Sequence, residues 1–183
     1  PACNVRRLNE DVATDTVEMD VAAVDSGGIK YAQIFVGRTS MVVDVYGMKT
    51  SAQFVNTLLD NIRQRGAMDR LISDRAAVEI SKGVLDVLRH LMIGSWQSEP
   101  HNQKQNFAER KWRDVKRVTN WLMGYKGVPA DCWLLALEYV ADVMNLSALE
   151  SLHWRTPLEK LTGQTPDTSI LTLFCFYDEI YYG

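Results

Sequence analysis

The sequence lacks the features that mark several common protein classes. Its three cysteines, Cys3, Cys132 and Cys175, are far apart and form no Cys-x-x-Cys pair, so we expect buried, reduced thiols rather than a disulfide framework. The three histidines, His90, His101 and His153, show no His-x3-5-His pairing, which argues against a structural zinc module. No apolar run approaches the roughly 18 to 20 residues that a membrane-spanning helix needs. The sequence therefore predicts no membrane insertion.

An excess of positive charge is also missing. The chain has 20 Lys and Arg against 23 Asp and Glu, a formal net charge of -3, so any binding of nucleic acid must rely on a local basic patch. Its 183 residues, 46% of them hydrophobic, suffice for one domain with its own core and are too few for two. Because it begins with Pro rather than Met, we expect the chain to be a piece of a longer protein.

The periodicity of apolar residues predicts one mixed α/β domain. Residues 1–11 are polar without a clear period and are interpreted as a lead-in linker, with the domain spanning 12–183. Alternating apolar and polar residues predict strands at 12–21, 31–36 and 41–46, joined as an antiparallel meander.

The second half of the chain is predicted to be mainly helical. A short fourth strand at 70–73 ends one residue before Asp74, segment 96–105 is predicted to be a loop, and the tail 171–182 an extended segment. Five helices are predicted from their caps and apolar stripes. They run from Thr50 or Ser51 to Gly66, from Ser81 to no later than Gly94, from about 105 to Gly124, from just after Pro129 through Met144, and from a capping box at Thr156 to Gly163.

The third predicted helix carries an acidic residue beside a row of cations. Apolar residues recur along it at spacings of three and four from Ala108 to Leu122, which predicts its buried face. Glu109 lies on a different face, together with Arg113, Lys116 and Asn120. The cations on this face suit a surface that contacts DNA phosphates. The alternative is an ordinary solvated face in which Glu109 pairs with a cation four residues later. The cations on or beside this face are Arg110, Arg113, Lys116 and Arg117.

Asp74 and Glu109 are the two candidate metal-binding carboxylates of this region. Asp74 follows an apolar strand, the place where chemistry on α/β sheets usually collects, although an Asp there is also a common turn former or helix cap. The two residues are 35 positions apart, close to the D,D-35-E pattern of nucleic-acid integrases. In a chain with 23 carboxylates this spacing alone gives moderate support.

Longer strings make the resemblance specific. From Tyr31 to the end, and more loosely from Thr14, the chain resembles the integrase catalytic core of copia-type long-terminal-repeat retrotransposons, particularly the divergent copia-like elements of diatoms and other algae. The matching strings, in the family's order, are YAQIFVGRTSMVVDVYGMKT, GAMDRLISDRAAVEIS, WQSEP, QNFAERKWRDVKR, PADCWLLALEYV and TPLEKLTGQTPDTS. The last is as diagnostic as the acidic residues, because it is independent of carboxylate counting.

The resemblance implies an RNase H-like α/β fold, with a five-stranded mixed sheet and helices on both faces. It makes Asp74 the second and Glu109 the third ligand of two Mg2+ (or Mn2+) ions. Measured back from the turn before strand two, the first ligand falls closest to Asp15. Asp20 is the rival, and Asp25, in the turn, is the weakest candidate.

The function that the resemblance implies is that of a DDE-type polynucleotidyl transferase. Such an enzyme trims the 3' ends of the element's DNA and joins them to target DNA, with Arg110, Arg113, Lys116 and Arg117 contacting phosphates. The implied partners are double-stranded DNA and further copies of the chain, without a membrane. The implied location is the nucleus and a cytoplasmic virus-like particle.

Two departures from the family pattern keep an alternative open. Copia-type cores have Asn-Gly after the second Asp, where this chain has Arg75-Ala76, and His-Asn-Gly before the Glu, where it has 105–107, Gln-Asn-Phe. Both lost glycines lie near the metal ligands, where close backbone approach is needed. The alternative is thus a catalytically inactive or domesticated core that binds DNA or oligomerises. A nuclease acting on RNA·DNA hybrids is a third hypothesis.

Overall fold

Five strands form one mixed sheet at the centre of the molecule. The computed structural model describes residues 5–24, 27–73, 81–97, 107–169, 171 and 175–179. The strands in this part of the chain are β1 (Asp11–Glu18), β2 (Tyr31–Gly37), β3 (Val43–Met48), β4 (Arg70–Ser73) and β5 (Gly94–Gln97). Their order in the sheet is β3-β2-β1-β4-β5, with β1–β2 and β2–β3 antiparallel and β1–β4 and β4–β5 parallel.

Helices cover both faces of this sheet. They are α1 (Phe54–Arg65), α2 (Lys82–His90), α3 (Phe107–Lys126), α4 (Trp133–Leu146) and α5 (Pro157–Thr162). One apolar cluster joins the first face to α3 and α4, and a second joins the opposite face to α1 and α2. The predicted five-stranded mixed sheet with helices on both faces is confirmed. No helix in the described ranges is both long and apolar enough to cross a membrane.

The strands differ from their predicted bounds for local reasons. β1 ends at Glu18, three residues earlier than predicted. β3 begins at Val43 rather than at 41, because Met41 takes a positive φ of 62° in the turn that precedes the strand. The loop predicted at 96–105 is wrong in its first two residues, since Trp96 and Gln97 belong to β5. The β5 string is short and entirely exposed, so it has no buried alternation to identify it as a strand.

The first helix begins later than predicted but ends where predicted. A single 3-10 turn at Ser51–Gln53 precedes α1, and the Thr50 side chain makes no capping hydrogen bond. Gly66 ends α1 with a φ of 109°. A Cβ at this position would lie 2.8 Å from the carbonyl oxygen of Arg6, so both the backbone conformation and the close approach require glycine.

The third helix passes the glycine that was predicted to stop it. Gly124 lies inside α3, where a Cβ would have open space, and an exposed glycine costs a helix only about 1 kcal/mol. The end comes at Gly127, which has a φ of 65°. The amide of Val128 there donates to the carbonyl of Met123 at 2.9 Å, the hydrogen bond typical of a glycine-terminated helix.

The last helix and the tail follow their caps. The Thr156 hydroxyl accepts a hydrogen bond from the Glu159 amide at 3.0 Å, and Gly163 ends α5 in the left-handed region, as the capping box predicted. The tail prediction at 171–182 falls mostly outside the described residues. The expectation of buried thiols fails at Cys175, which is exposed, and Cys132 is only half-buried.

Part of the predicted lead-in packs against the domain. Arg7 forms an isolated parallel bridge with Ala67, and its guanidinium donates to the carbonyl of Leu91 at 2.6 Å. The Glu10 side chain is buried and accepts hydrogen bonds from the Ser40 amide and hydroxyl at 2.9 and 2.7 Å. Polar composition did not reveal this order, because the charged side chains of Arg7 and Glu10 find their partners only in the folded chain.

Candidate metal and nucleic-acid site

The central strand β1 positions Asp15. Side chains alternate between the two faces of a strand, and Ala13 and Val17 both belong to the apolar cluster that includes α3. Asp15 has the same parity, so its side chain lies on the α3 face, paired across the sheet with Ile34 of β2. It is half-buried. A carboxylate therefore stands on the central strand and beneath the helix that carries Glu109.

A polar network holds β1 on the opposite face. Gln33 of β2 is fully buried, its amide nitrogen donates to the Thr14 hydroxyl, and its oxygen accepts from the Thr16 hydroxyl. The Thr14 hydroxyl in turn donates to the carbonyl of Ile34 at 2.8 Å. These contacts flank Asp15 on both sides along the strand and fix its backbone.

The neighbouring parallel strand ends one residue short of the level of Asp15. In the β1–β4 ladder Ala13 pairs with Ile72, so Ser73, the last residue of β4, is one step beyond this pair. Asp74, the predicted second ligand, lies outside the described residues. It is bonded directly to Ser73, a buried residue.

The first turn of α3 supplies Glu109. Ala108 beside it is fully buried in the cluster shared with β1, and this contact fixes the start of the helix on the sheet. The Glu109 side chain is 39% exposed, and its Oε1 lies 4.0 Å from the Arg113 guanidinium. This is the pairing expected if the helix face is an ordinary solvated surface, the alternative that the sequence left open. At 4.0 Å between largely exposed groups it is a weak interaction and leaves Glu109 able to take another cation.

The two other candidates for the first ligand are placed differently or not described. Asp20 lies two residues beyond the end of β1 and is exposed. Asp25 lies outside the described residues. The central strand of the sheet thus carries only one of the three candidates, Asp15.

The predicted phosphate-binding cations all lie on the exposed side of α3. Arg117 also lies 3.5 Å from Asp114, with 78% of its side chain exposed. Lys111, by contrast, is half-buried, and burial lowers the pKa of its ammonium group. The exposed cations are Arg110, Arg113, Lys116 and Arg117.

The side chains of Asp15 and Glu109 suit a hard divalent cation. Carboxylate oxygens are the ligands that Mg2+ and Mn2+ prefer, and Asp15 and Glu109 supply them from a rigid strand and a helix start. No group of three potential ligands is found within the described ranges, which do not include Asp74. The donor chemistry fits the predicted metal site.

Sequence reasoning missed Gln33, a residue that supports the site. Gln33 is the one polar residue within the apolar string AQIFV, and a buried amide inside a strand is the signal that would have identified it. Phe107, one of the departures from the family pattern, begins α3 and packs against the apolar cluster on the Asp15 face. The packing explains how the chain accommodates a large side chain there.

Known proteins resemble the chain in both sequence and fold. No protein-family model matches it. It is 25% identical over 172 residues to the retrovirus-related Pol polyprotein from transposon RE2 of Arabidopsis thaliana, a match that covers 90% of this chain and 12% of the polyprotein. The chain thus spans only a small part of that relative's length.

Solved structures decide the fold. The catalytic core domain of BIV integrase superposes with a TM-score of 0.64 at 18% identity, covering 85% of this chain and 95% of that one. The fold is that of a retroviral integrase catalytic core. The HTLV-2 integrase core, solved in complex with magnesium in a trimeric form, gives a TM-score of 0.64 at 16% identity over 84% of this chain and 96% of that one.

A chain within a larger viral assembly shows the same fold. A chain of the simian T-cell lymphotropic virus intasome, solved with a PP2A regulatory subunit, matches with a TM-score of 0.69 at 18% identity. The match covers 88% of this chain and 58% of the viral one. The RNase H-like integrase core is therefore shared at the level of fold across proteins of low sequence identity.

Proposed function

We propose that this chain is the catalytic core of a retrotransposon integrase, a single domain at 12–183 that transfers phosphoryl groups on DNA. The observation that carries the proposal is the placement of Asp15 on the α3 face of the central strand. The parallel β4 ends beside it, with Asp74 next in the chain. Glu109 opens the helix that covers the same face.

The three carboxylates have one common role in this proposal. Asp15, Asp74 and Glu109 hold two Mg2+ or Mn2+ ions. When bound, such a pair of ions activates the attacking oxygen and stabilises the leaving oxygen in phosphoryl transfer. The strand and the helix hold Asp15 and Glu109 in place before the metal arrives, which reduces the ordering cost of binding.

The DNA-binding part of the proposal rests on α3. Its exposed cations neutralise phosphates and orient the DNA relative to Glu109, which lies in the same helix. The partners proposed are the element's ends, target DNA and further copies of this chain. The copia-type origin, and a location in the nucleus and a cytoplasmic virus-like particle, are parts of the same proposal.

Strand joining of an oligonucleotide in the presence of Mg2+ tests the chemistry. Asp15→Asn, Asp74→Asn and Glu109→Gln are each expected to abolish joining while leaving the circular dichroism spectrum and the urea midpoint close to wild type. Asp20→Asn, in an exposed position past the end of β1, is the control and is expected to join normally. Retained joining by Asp74→Asn or Glu109→Gln would end the assignment, and loss only in Asp20→Asn would move the first ligand to Asp20.

The salt dependence of DNA binding tests the cations. Arg117→Ala is expected to weaken binding and to reduce the slope of log K against log salt by about one unit. Arg63→Ala is a matched control, because Arg63 is 79% exposed and also pairs with an Asp three residues before it. An unchanged slope for Arg117→Ala would mean that Arg117 belongs to an ordinary solvated helix face and does not contact DNA phosphates.

A second candidate is a catalytically inactive core that binds DNA or oligomerises. The observation that favours it is Arg75-Ala76 in place of Asn-Gly next to Asp74. A calorimetric titration with Mn2+ separates the two candidates. Binding that is lost in Glu109→Gln supports the enzyme, whereas DNA binding without metal binding supports the inactive core. Cleavage of RNA·DNA hybrids but not of duplex DNA would indicate an RNase H-type nuclease instead.

A further inference from the structure

One row of side chains leads along α3 from Glu109 to its far end. Its members are four residues apart: Glu109, Arg113, Arg117, Trp121 and Tyr125. Residues at this spacing form a continuous ridge on a helix surface, inclined slightly to the axis. At 1.5 Å per residue the row is about 24 Å long. We call these five residues the α3 ridge, which changes from acidic to cationic to aromatic along its length.

The aromatic end of the α3 ridge is preformed and open to solvent. The rings of Trp121 and Tyr125 stack with centroids 5.3 Å apart and planes 7° from parallel. The two residues are nevertheless 64% and 72% exposed. Each ring covers one face of the other, so the outer faces remain available to a flat partner. Large aromatic side chains left this exposed are typical of binding surfaces.

The charge of the α3 ridge favours a nucleic acid over a second copy of the chain. Arg113 and Arg117 lead directly to the ring pair, and Arg110 and Lys116 flank them, in a chain whose net charge is -3. A two-fold dimer through this surface would bring two copies of the same patch together, and each copy carries these four cations. A polyanion with flat aromatic groups matches both parts of the ridge.

We propose that the α3 ridge binds a DNA strand with unpaired nucleotides. Its phosphates contact Arg113 and Arg117, and an unpaired base extends the stack of Trp121 and Tyr125. Base faces inside a duplex are covered by their neighbours, whereas an unpaired base offers its face to an aromatic side chain. The proposal rests on the proposed function, because trimming a 3' end leaves an unpaired overhang. Trp121 lies about 18 Å along the helix from Glu109, within reach of a short overhang.

Three fluorescent DNA probes test the proposal: a duplex with a 5' overhang, a blunt duplex and a single strand. For the Trp121→Ala/Tyr125→Ala variant, fluorescence anisotropy is expected to show about tenfold weaker binding of the overhang and single-strand probes. Its affinity for the blunt duplex is expected to stay near wild type. Trp121→Phe/Tyr125→Phe keeps the rings and is expected to restore binding.

A tryptophan outside α3 provides the control. Trp154 is 72% exposed, and the Trp154→Ala variant is expected to bind all probes normally.

Three results would overturn the proposal. The first is unchanged binding by the double alanine variant. The second is an equal loss of affinity for the blunt duplex, because it would mean that unpaired bases are not recognised. The third is a change in the sedimentation of the double alanine variant from oligomer to monomer without a change in DNA affinity, which would assign the ring pair to self-association.

The proposal and the proposed function can fail separately. Glu109→Gln is expected to keep the preference for overhang DNA while losing strand joining. If wild type shows an overhang preference that depends on Trp121 and Tyr125 but never joins strands, the integrase function alone fails. If wild type joins strands and the double alanine variant binds every probe normally, the unpaired-base site alone fails.

Discussion

Replacing the buried amide of Gln33 tests whether the β1–β2 network positions Asp15. Gln33→Met keeps most of the side-chain volume and removes the hydrogen bonds to Thr14 and Thr16. Thr14 keeps its own donation to the Ile34 carbonyl at 2.8 Å, and Thr16 is half-buried, so water can reach it. The change therefore leaves no buried donor without an acceptor.

The expected loss of stability follows from these contacts. Each lost hydrogen bond is worth about 1 kcal/mol net, so Gln33→Met is expected to lower the free energy of unfolding by about 1 to 2 kcal/mol. Gln33→Ala also empties a fully buried volume, and the cavity raises the total to about 3 to 4 kcal/mol. Urea denaturation measures both values. The difference between the two losses in free energy of unfolding separates the contribution of packing from that of the hydrogen bonds.

Strand joining gives the functional readout of the same variants. Gln33→Met remains folded at this cost, yet its joining rate is expected to fall by about tenfold or more, because a small displacement of a metal ligand slows catalysis strongly. Gln64→Met, at an exposed glutamine that accepts from the Tyr46 hydroxyl, is the control. A folded Gln33→Met variant that joins at the wild-type rate would refute the positioning role.

Three further predictions concern charges away from the site. Arg65 binds the buried Asp44 carboxylate at 2.6 and 3.0 Å, so Arg65→Met is expected to lower stability to urea by about 3 kcal/mol, and a loss below about 1 kcal/mol would contradict this. Burial, followed by the charge of Asp44, raises the pKa of Tyr46 to about 12. Stability from its protonated form is thus complete below the ordinary tyrosine pKa and lost as the pH rises through about 12, and a normal midpoint by ultraviolet titration would contradict this. Partial burial of the carboxyl, followed by the charge of Asp44, also raises the pKa of Asp142, so the stability from its protonated form is present at low pH and lost as the pH rises. Asp142→Asn should therefore gain stability over wild type with rising pH, by less than about 1 kcal/mol because the rest of the residue is exposed and solvent screens its charge. A gain independent of pH would refute the cause.

Periodic, half-buried segments were predictable from the sequence. The β4 bounds were predicted to the residue, because a string this short, with polar residues on both sides, favours a strand over a helix. The α5 cap at Thr156 and the α1 end at Gly66 were also predicted, since caps are local chemistry. In contrast β5 was missed, because an exposed edge strand is defined by its partner β4 and not by its own pattern.

The candidate site was predictable only in part. The sequence left Asp15 and Asp20 as rivals for the first ligand, because the periodicity of apolar residues does not determine the length of the turn after β1. The bounds of β1 and its ladder with β2 place Asp15 on the central strand and Asp20 beyond its end. The role of Gln33 was not visible, because a buried amide gains its partners only when β1 and β2 pair.

Anomalous scattering from crystals soaked in Mn2+ measures the central claim most directly. If Asp15, Asp74 and Glu109 form the metal site, the anomalous density lies between these three carboxylates, about 2 to 2.2 Å from their oxygens, and disappears in Glu109→Gln crystals. Density at Asp20, or no density near Asp15 at saturating Mn2+, would contradict the assignment.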